Sequence, residues 1–163
     1  MSKILAVAVV SLLFPAAVLH GQTVSNPGWG FWFETPPGWV LQNCDADGAA
    51  LAHATVPGMI LVLPHSYKSV EALRKRMKDL LESEGMRLLP TKPPKEIGTE
   101  GMIGMYEGEF QGQKVRARVF GAFAPKVQKG CFVMGIALPL EYGKQLADAV
   151  DAVAKTIRLT GSQ

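Results

Sequence analysis

The 163-residue chain predicts an α+β sandwich, an antiparallel sheet packed by two main helices. Three observations carry this expectation. Apolar residues alternate with a period of two through most of the chain. The period becomes helical near Val70 and again near Tyr142, and glycine- or proline-bearing turns separate the runs. The resulting order of strands, helix, strands, helix argues against a doubly wound parallel sheet, which needs strand and helix to alternate throughout.

The amino terminus reads as a signal peptide over 1–21. Lys3 precedes an uncharged apolar run, Ile4–Leu19, broken only by Ser11 and Pro15, and His20-Gly21-Gln22 follows. The run is shorter than the roughly 20 residues of a spanning helix, so cleavage after Gly21 or Gln22 is expected. The mature protein would then be exported, to the periplasm or beyond the cell, with no membrane span after processing. The apolar share of 48% falls to 63 of 142 residues once the leader is removed, ordinary for a globular domain. Residues 22–163 make one domain, long enough to bury about two-thirds of its unfolded surface. Removing Lys3 leaves 16 basic against 14 acidic residues, spread along the chain, which gives no reason to expect nucleic acid as a partner.

Within the mature chain, Trp29, Phe31 and Phe33 alternate onto one strand face, with Trp32 and Glu34 on the other, before Pro36-Pro37-Gly38 stops the run. Strands near Trp39–Gln42 and Ala49–Thr55 flank an Asp45-Ala46-Asp47-Gly48 turn. Met59–Leu63 is a buried strand. Val70, Leu73, Met77, Leu80 and Leu81 then recur at helical spacing. Ser69 stands ready to cap, and Gly85 supplies a left-handed residue, so a helix is expected over 69–84. Its Glu71–Lys75 and Lys78–Glu82 spacings suggest a solvated, self-paired face. Residues 91–95 form a loop. Strands follow at 102–110, 114–123 and 130–138, the first two joined at Gln111-Gly112-Gln113. A second helix, over 140–158, presents Tyr142, Leu146, Ala149, Val150, Val153 and Ile157 on one face.

Chemistry is sparse. His53 and His65 are the histidines that survive processing, and they lack the spacing of a metal pair, so no metal or cofactor is expected. No serine lies in a nucleophile elbow. Glu107 and Glu109 would share a strand face about 7 Å apart, within reach of a glycosidase pair, but they face Lys114 and Arg116 across the hairpin. Cys44 and Cys131 are an even count in an oxidising compartment, which favours a Cys44–Cys131 disulfide. The alternative is two free thiols, one of them a nucleophile. Trp29, Trp32 and Trp39 fall within eleven residues and offer either core packing or a surface that stacks on a ligand or partner.

The segments ETPPGW, SVEAL, KGCFVMGIALPLEYG and AKTIRL, in that order with hairpin strands between them, resemble the PsbP/Mog1/DcrB-like superfamily over 29–159. The resemblance implies an α/β/α sandwich around a central antiparallel sheet, and a non-enzymatic accessory or binding protein with no catalytic residue to carry over. The expected function is therefore non-catalytic binding of an envelope protein or small ligand. The other classes left open are an envelope hydrolase using Cys131 or the Glu107/Glu109 pair, and a sugar- or lipid-binding module using Trp29, Trp32 and Trp39.

Overall fold

The computed structural model describes residues 21–160, so all but the last residue of the leader lies outside it. Twelve strands and two helices are present among the described residues: β1 (Thr23–Asn26), β2 (Phe31–Glu34), β3 (Trp39–Asp45), β4 (Gly48–His53), β5 (Met59–His65), α1 (Val70–Lys78), β6 (Leu81–Ser83), β7 (Met86–Pro90), β8 (Lys95–Ile97), β9 (Gly101–Phe110), β10 (Gln113–Ala124), β11 (Lys129–Ala137), α2 (Lys144–Thr156) and β12 (Arg158–Leu159). A nine-stranded antiparallel sheet runs β3-β4-β5-β11-β10-β9-β7-β6, with β8 added on β9. A small sheet, β1-β2-β12, joins the first and last strands among the described residues.

The predicted alternation in β10 holds. Val115, Ala117 and Val119 are buried, and Lys114 and Arg116 stand opposite Glu109 and Glu107 on the other face. β11, apolar on both faces, is central. Its odd residues Cys131 and Val133 pack with Phe33, Leu146 and Val150, and its even residues Phe132, Met134 and Ile136 pack with Leu73 and Met77. The sheet therefore has a core on each face, α1 over one and α2 with the small sheet over the other. This is the expected α/β/α sandwich.

Each helix sits over a glycine. A Cβ on Gly121 of β10 would lie 2.6 Å from Met77 Sδ, and one on Gly135 of β11 would lie 2.4 Å from Val150 Cγ2. Tyr106 ties the same helix down from below, its buried hydroxyl donating to the Met77 carbonyl at 2.7 Å.

Both helices are shorter than the periodicity predicts. Ser69 caps α1 as expected, its hydroxyl accepting from Ala72 N–H, but the helix ends at Lys78. Leu81 and Ser83 instead pair with Leu88 and Met86, and Gly85, at φ +72°, turns that hairpin. A left-handed glycine serves a tight hairpin as well as a helix end, and two leucines in a row fit either period. Glu82 thus leaves the helix, and the Lys78–Glu82 pairing does not arise. Arg74 also departs from a self-paired face, reaching Glu96 at 3.3 Å and the carbonyls of Gly98 and Thr99. α2 begins at Lys144 because residues 138–142 form a turn in which Glu141 and Tyr142 N–H groups both donate to the Leu138 carbonyl. β1, β6, β7, β8 and β12 are strands the sequence reading did not anticipate.

Gly135→Ala should destabilise by about 2–3 kcal/mol, because the branched Val150 cannot yield, and Gly121→Ala by about 1 kcal/mol, because Met77 can repack. Urea unfolding of both variants measures this, and equal costs would mean the helices are not seated on these residues.

Candidate functional site

The length of α1 creates the site. Nine helical residues span about 14 Å, while strands about 4.8 Å apart make the sheet, eight strands across, more than twice as wide. α1 packs over β9 and β10, and beyond it the end of β5 is only half-buried at Leu63 and His65. There Leu63 of β5 stands opposite Phe132 of β11, and Leu61 opposite Met134. Leu63, Phe132 and Met134 floor a groove of about 420 Å3. One wall is the β3–β4 turn, with Ala46 and Asp47. Trp29 stands beside it, its indole N–H donating to the Ala46 carbonyl. The opposite wall is the β6–β7 hairpin, with Leu81, Glu82, Ser83 and Met86. A helix continuing to residue 84 would have replaced that wall.

His65 ends β5 on the groove face, following Leu61 and Leu63 by alternation. Its Nε2–H donates to the Ala122 carbonyl at 2.9 Å, and its Nδ1 accepts from Tyr67 N–H at 3.3 Å. Burial pushes its pKa down from 6.5 to about 4, against a smaller upward pull from the Ala122 carbonyl. With both nitrogens engaged and the ring neutral, His65 is a flat aromatic surface and no general base. Its ring lies tilted at 4.8 Å from both Tyr67 and Phe132, whose rings meet edge to face at 6.0 Å. Asp47 is exposed at the groove, whereas Glu82, though its hairpin forms the wall, stands opposite Arg87 and alternates away from Leu81 and Met86.

The residues singled out by sequence fall into separate environments. The expected Cys44–Cys131 disulfide is absent, and both cysteines are free thiols. Cys44 lies on β3 and Cys131 on β11, with β4 and β5 between them. Three strand spacings, about 14 Å, far exceed the Cα separation a bridge allows. Cys131 is fully buried on the α2 face, and desolvation pushes its pKa up to about 12, so it remains a thiol. His65, though on the neighbouring strand, faces the other way, which leaves Cys131 without a base. Glu107 is held by Arg116, whose Nε donates at 2.9 Å, and both Glu107 and Glu109 are exposed.

His53 caps a turn, its Nδ1 accepting from the N–H groups of Thr55 and Val56. Among the described residues no cluster of three or more His, Cys, Asp or Glu could hold a metal ion. No described helix is long and apolar enough to cross a membrane.

The aromatic row is dispersed. Trp39 is core, at 6% exposure. Trp32, on the outer face of β2, does not line the groove, whereas Trp29 does. Tyr67, Phe132, Asp47 and Ser83 were not anticipated as neighbours. Only the alternation Leu61, Leu63, His65 hinted that His65 belongs to a sheet face.

No family model matches the chain, and no curated protein matches it in sequence. Solved structures do. The Ran-binding protein Mog1p of Saccharomyces cerevisiae aligns with a TM-score of 0.60 at 11% identity, over 87% of this chain and 96% of that one. The fold is Mog1-like. LpqN of Mycobacterium tuberculosis, described as involved in cell envelope biogenesis, aligns at 0.52 and 12% identity over 86% of this chain and 85% of its own. A Bacteroides thetaiotaomicron protein aligns at 0.57 and 11% identity over 86% of this chain, which spans 48% of that protein's length. At these identities the Mog1-like likeness is one of architecture.

Two outcomes follow from the geometry. Thiol titration of the unreduced protein should find one reactive thiol in the native state, Cys44, and two after denaturation; none after denaturation would restore the bridge. His65 is silent above pH 6.5, where folded and unfolded states are both neutral. As pH falls from 6.5 towards 4, the unfolded chain takes up a proton that the native ring does not, so stability declines by up to about 3 kcal/mol. His65→Gln should flatten that part of the stability profile, and an unchanged slope would assign it to other groups.

Proposed function

We propose that the mature domain is an exported, non-catalytic binding module and that the groove beside α1 is its contact surface. The observation that carries this reading is an open cavity floored by Leu63, Phe132 and Met134 whose histidine has both nitrogens occupied within the protein. Such a surface offers apolar contact and aromatic faces with no nucleophile or proton shuttle to act on what it holds. Two further points support it. Mog1p is described as Ran-binding and LpqN as serving envelope biogenesis, so this architecture is found in proteins with binding and envelope roles. Gln22 and Thr35 exchange hydrogen bonds at the mouth of the small sheet, so a chain cut after Gly21 retains every strand.

The test is capture from envelope extract by the mature domain and by a blocked variant, Ser66→Trp/Ser83→Trp, which fills the groove from exposed positions. Partners held by the wild-type domain should be lost from the blocked variant and kept by Gln145→Glu, remote on α2. Retention by the blocked variant, with its circular dichroism unchanged, would remove the groove from the binding role.

A further inference from the structure

The opposite face of the sheet carries a second cleft, between α2 and β8, of about 280 Å3. α2 packs over β5, β11 and β10, and beyond it the sheet continues as β9 and β8. Alternation and register put Phe120 of β10, Ile103 of β9 and Ile97 of β8 on the α2 side there. Ile97 is 49% exposed, and Ile103 and Ala154 of α2 are half-buried. Phe120 is buried at the base, its ring passing over Gly101, where a Cβ would lie 3.0 Å from Cε2. The result is an apolar strip that the protein covers only in part.

Asp151, Ala154 and Lys155 follow at helical spacings and share one flank of α2, which forms the cleft wall. Asp151 is fully engaged by Arg118, whose Nε and Nη2 donate at 2.6 and 3.0 Å. Lys155 is exposed on that wall and makes no ion pair among the described residues. Lys95 of β8, opposite Ile103, is likewise exposed and without an ion pair among them. Two cations thus flank the strip, while the acid that lines it is already neutralised.

These features select a ligand class. β9 and β10 are paired on both sides here, so the floor offers an extended peptide no backbone donor or acceptor. A sugar would meet aliphatic side chains where it needs hydrogen bonds. A small inorganic anion would leave the apolar strip in water. At about 30 Å3 for a group the size of water or a methylene, the cleft holds roughly nine, enough for one hydrocarbon chain. We propose that the cleft binds a single-chain anionic amphiphile of the fatty-acid class, its chain on Ile97, Ile103 and Ala154 and its carboxylate at Lys155. This site is separate from the groove beside α1 and does not depend on it.

Hexanoate, octanoate and decanoate, below their micelle concentrations, serve as probes, followed by the methyl resonances of Ile97, Ile103 and Ala154 and by titration calorimetry. Each should shift those resonances saturably, with affinity rising by up to about fourfold per added methylene. Lys155→Gln should lower decanoate affinity about threefold or more at low salt. Ile97→Asp, at an exposed position, should lower it about tenfold or more, by placing a carboxylate under the chain. Lys144→Gln, about three turns away on α2, should leave it unchanged. Equal losses in the two lysine variants would mean general charge attraction and overturn the proposal. Octylammonium or octyl glucoside matching octanoate would remove the anionic head from it, and affinity independent of chain length would remove the hydrocarbon. Hexaglutamate matching decanoate would put a polypeptide in the ligand's place. Each of these three results overturns the assignment, as does the absence of a saturable shift with decanoate. They are read on the wild-type protein, so they decide the matter even where a variant fails to fold.

Discussion

Two glycines near the middle of the large sheet decide where everything else lies. Gly121 of β10 and Gly135 of β11 are on adjacent strands and open towards opposite faces, each at the point where a helix comes closest. Neither helix could approach so near over a side chain. α2 has thirteen residues and, with Phe31 and Phe33 of the small sheet, closes its face over Val133 and Ile60. α1 has nine and closes only part of its own. The groove is thus the remainder of a packing arrangement, a strip beside α1 where Leu63 and His65 stay half-buried above the buried Phe132 and Met134. Its open state depends on α1 ending at Lys78.

Much of this architecture is legible in the sequence, because sheets and helices write their burial at short range. The alternation of Val115, Ala117 and Val119 in β10, the Asp45–Gly48 turn, and the apolar face Leu146, Ala149, Val150, Val153 of α2 all survive into the structure. The errors occur where one residue type serves two purposes. Gly85 at positive φ ends a helix or turns a hairpin, and what decides is Leu81 pairing with Leu88, a contact between segments whose partnership no local pattern states.

The disulfide fails for a related reason. Compartment and parity of cysteines are properties of the chain, whereas the order β3-β4-β5-β11 is a property of the sheet, and it is the order that separates Cys44 from Cys131. The groove was still less legible. Phe132 meets Leu63 across a strand pair nearly seventy positions apart, and Asp47 and Ser83 share a cavity because two hairpins from different parts of the chain rise on either side of one floor. Trp29 was visible as an aromatic in a conspicuous row, but the row itself divides among core, outer sheet face and groove rim. Cys131 proves to be a core residue, and Glu107 is paired with Arg116 across the hairpin. Chemistry read from residue type alone needed burial and facing direction before it meant anything.

The small sheet has a further consequence, for the order of events in folding. β2 lies between the first strand and the last, and Thr160 N–H donates to the Gly30 carbonyl across a separation of 130 residues. Pairings that close so long a loop are slow, and this one has no local substitute. In a chain made amino terminus first, β1 and β2 appear early but wait for residues 158–160 before their layer is complete. Phe31 and Phe33 stay exposed in that interval. The nine-stranded sheet needs no residue past Ala137, so a core can form while the small sheet is still open. Arg158, Leu159 and Thr160 act as the latch of the small sheet.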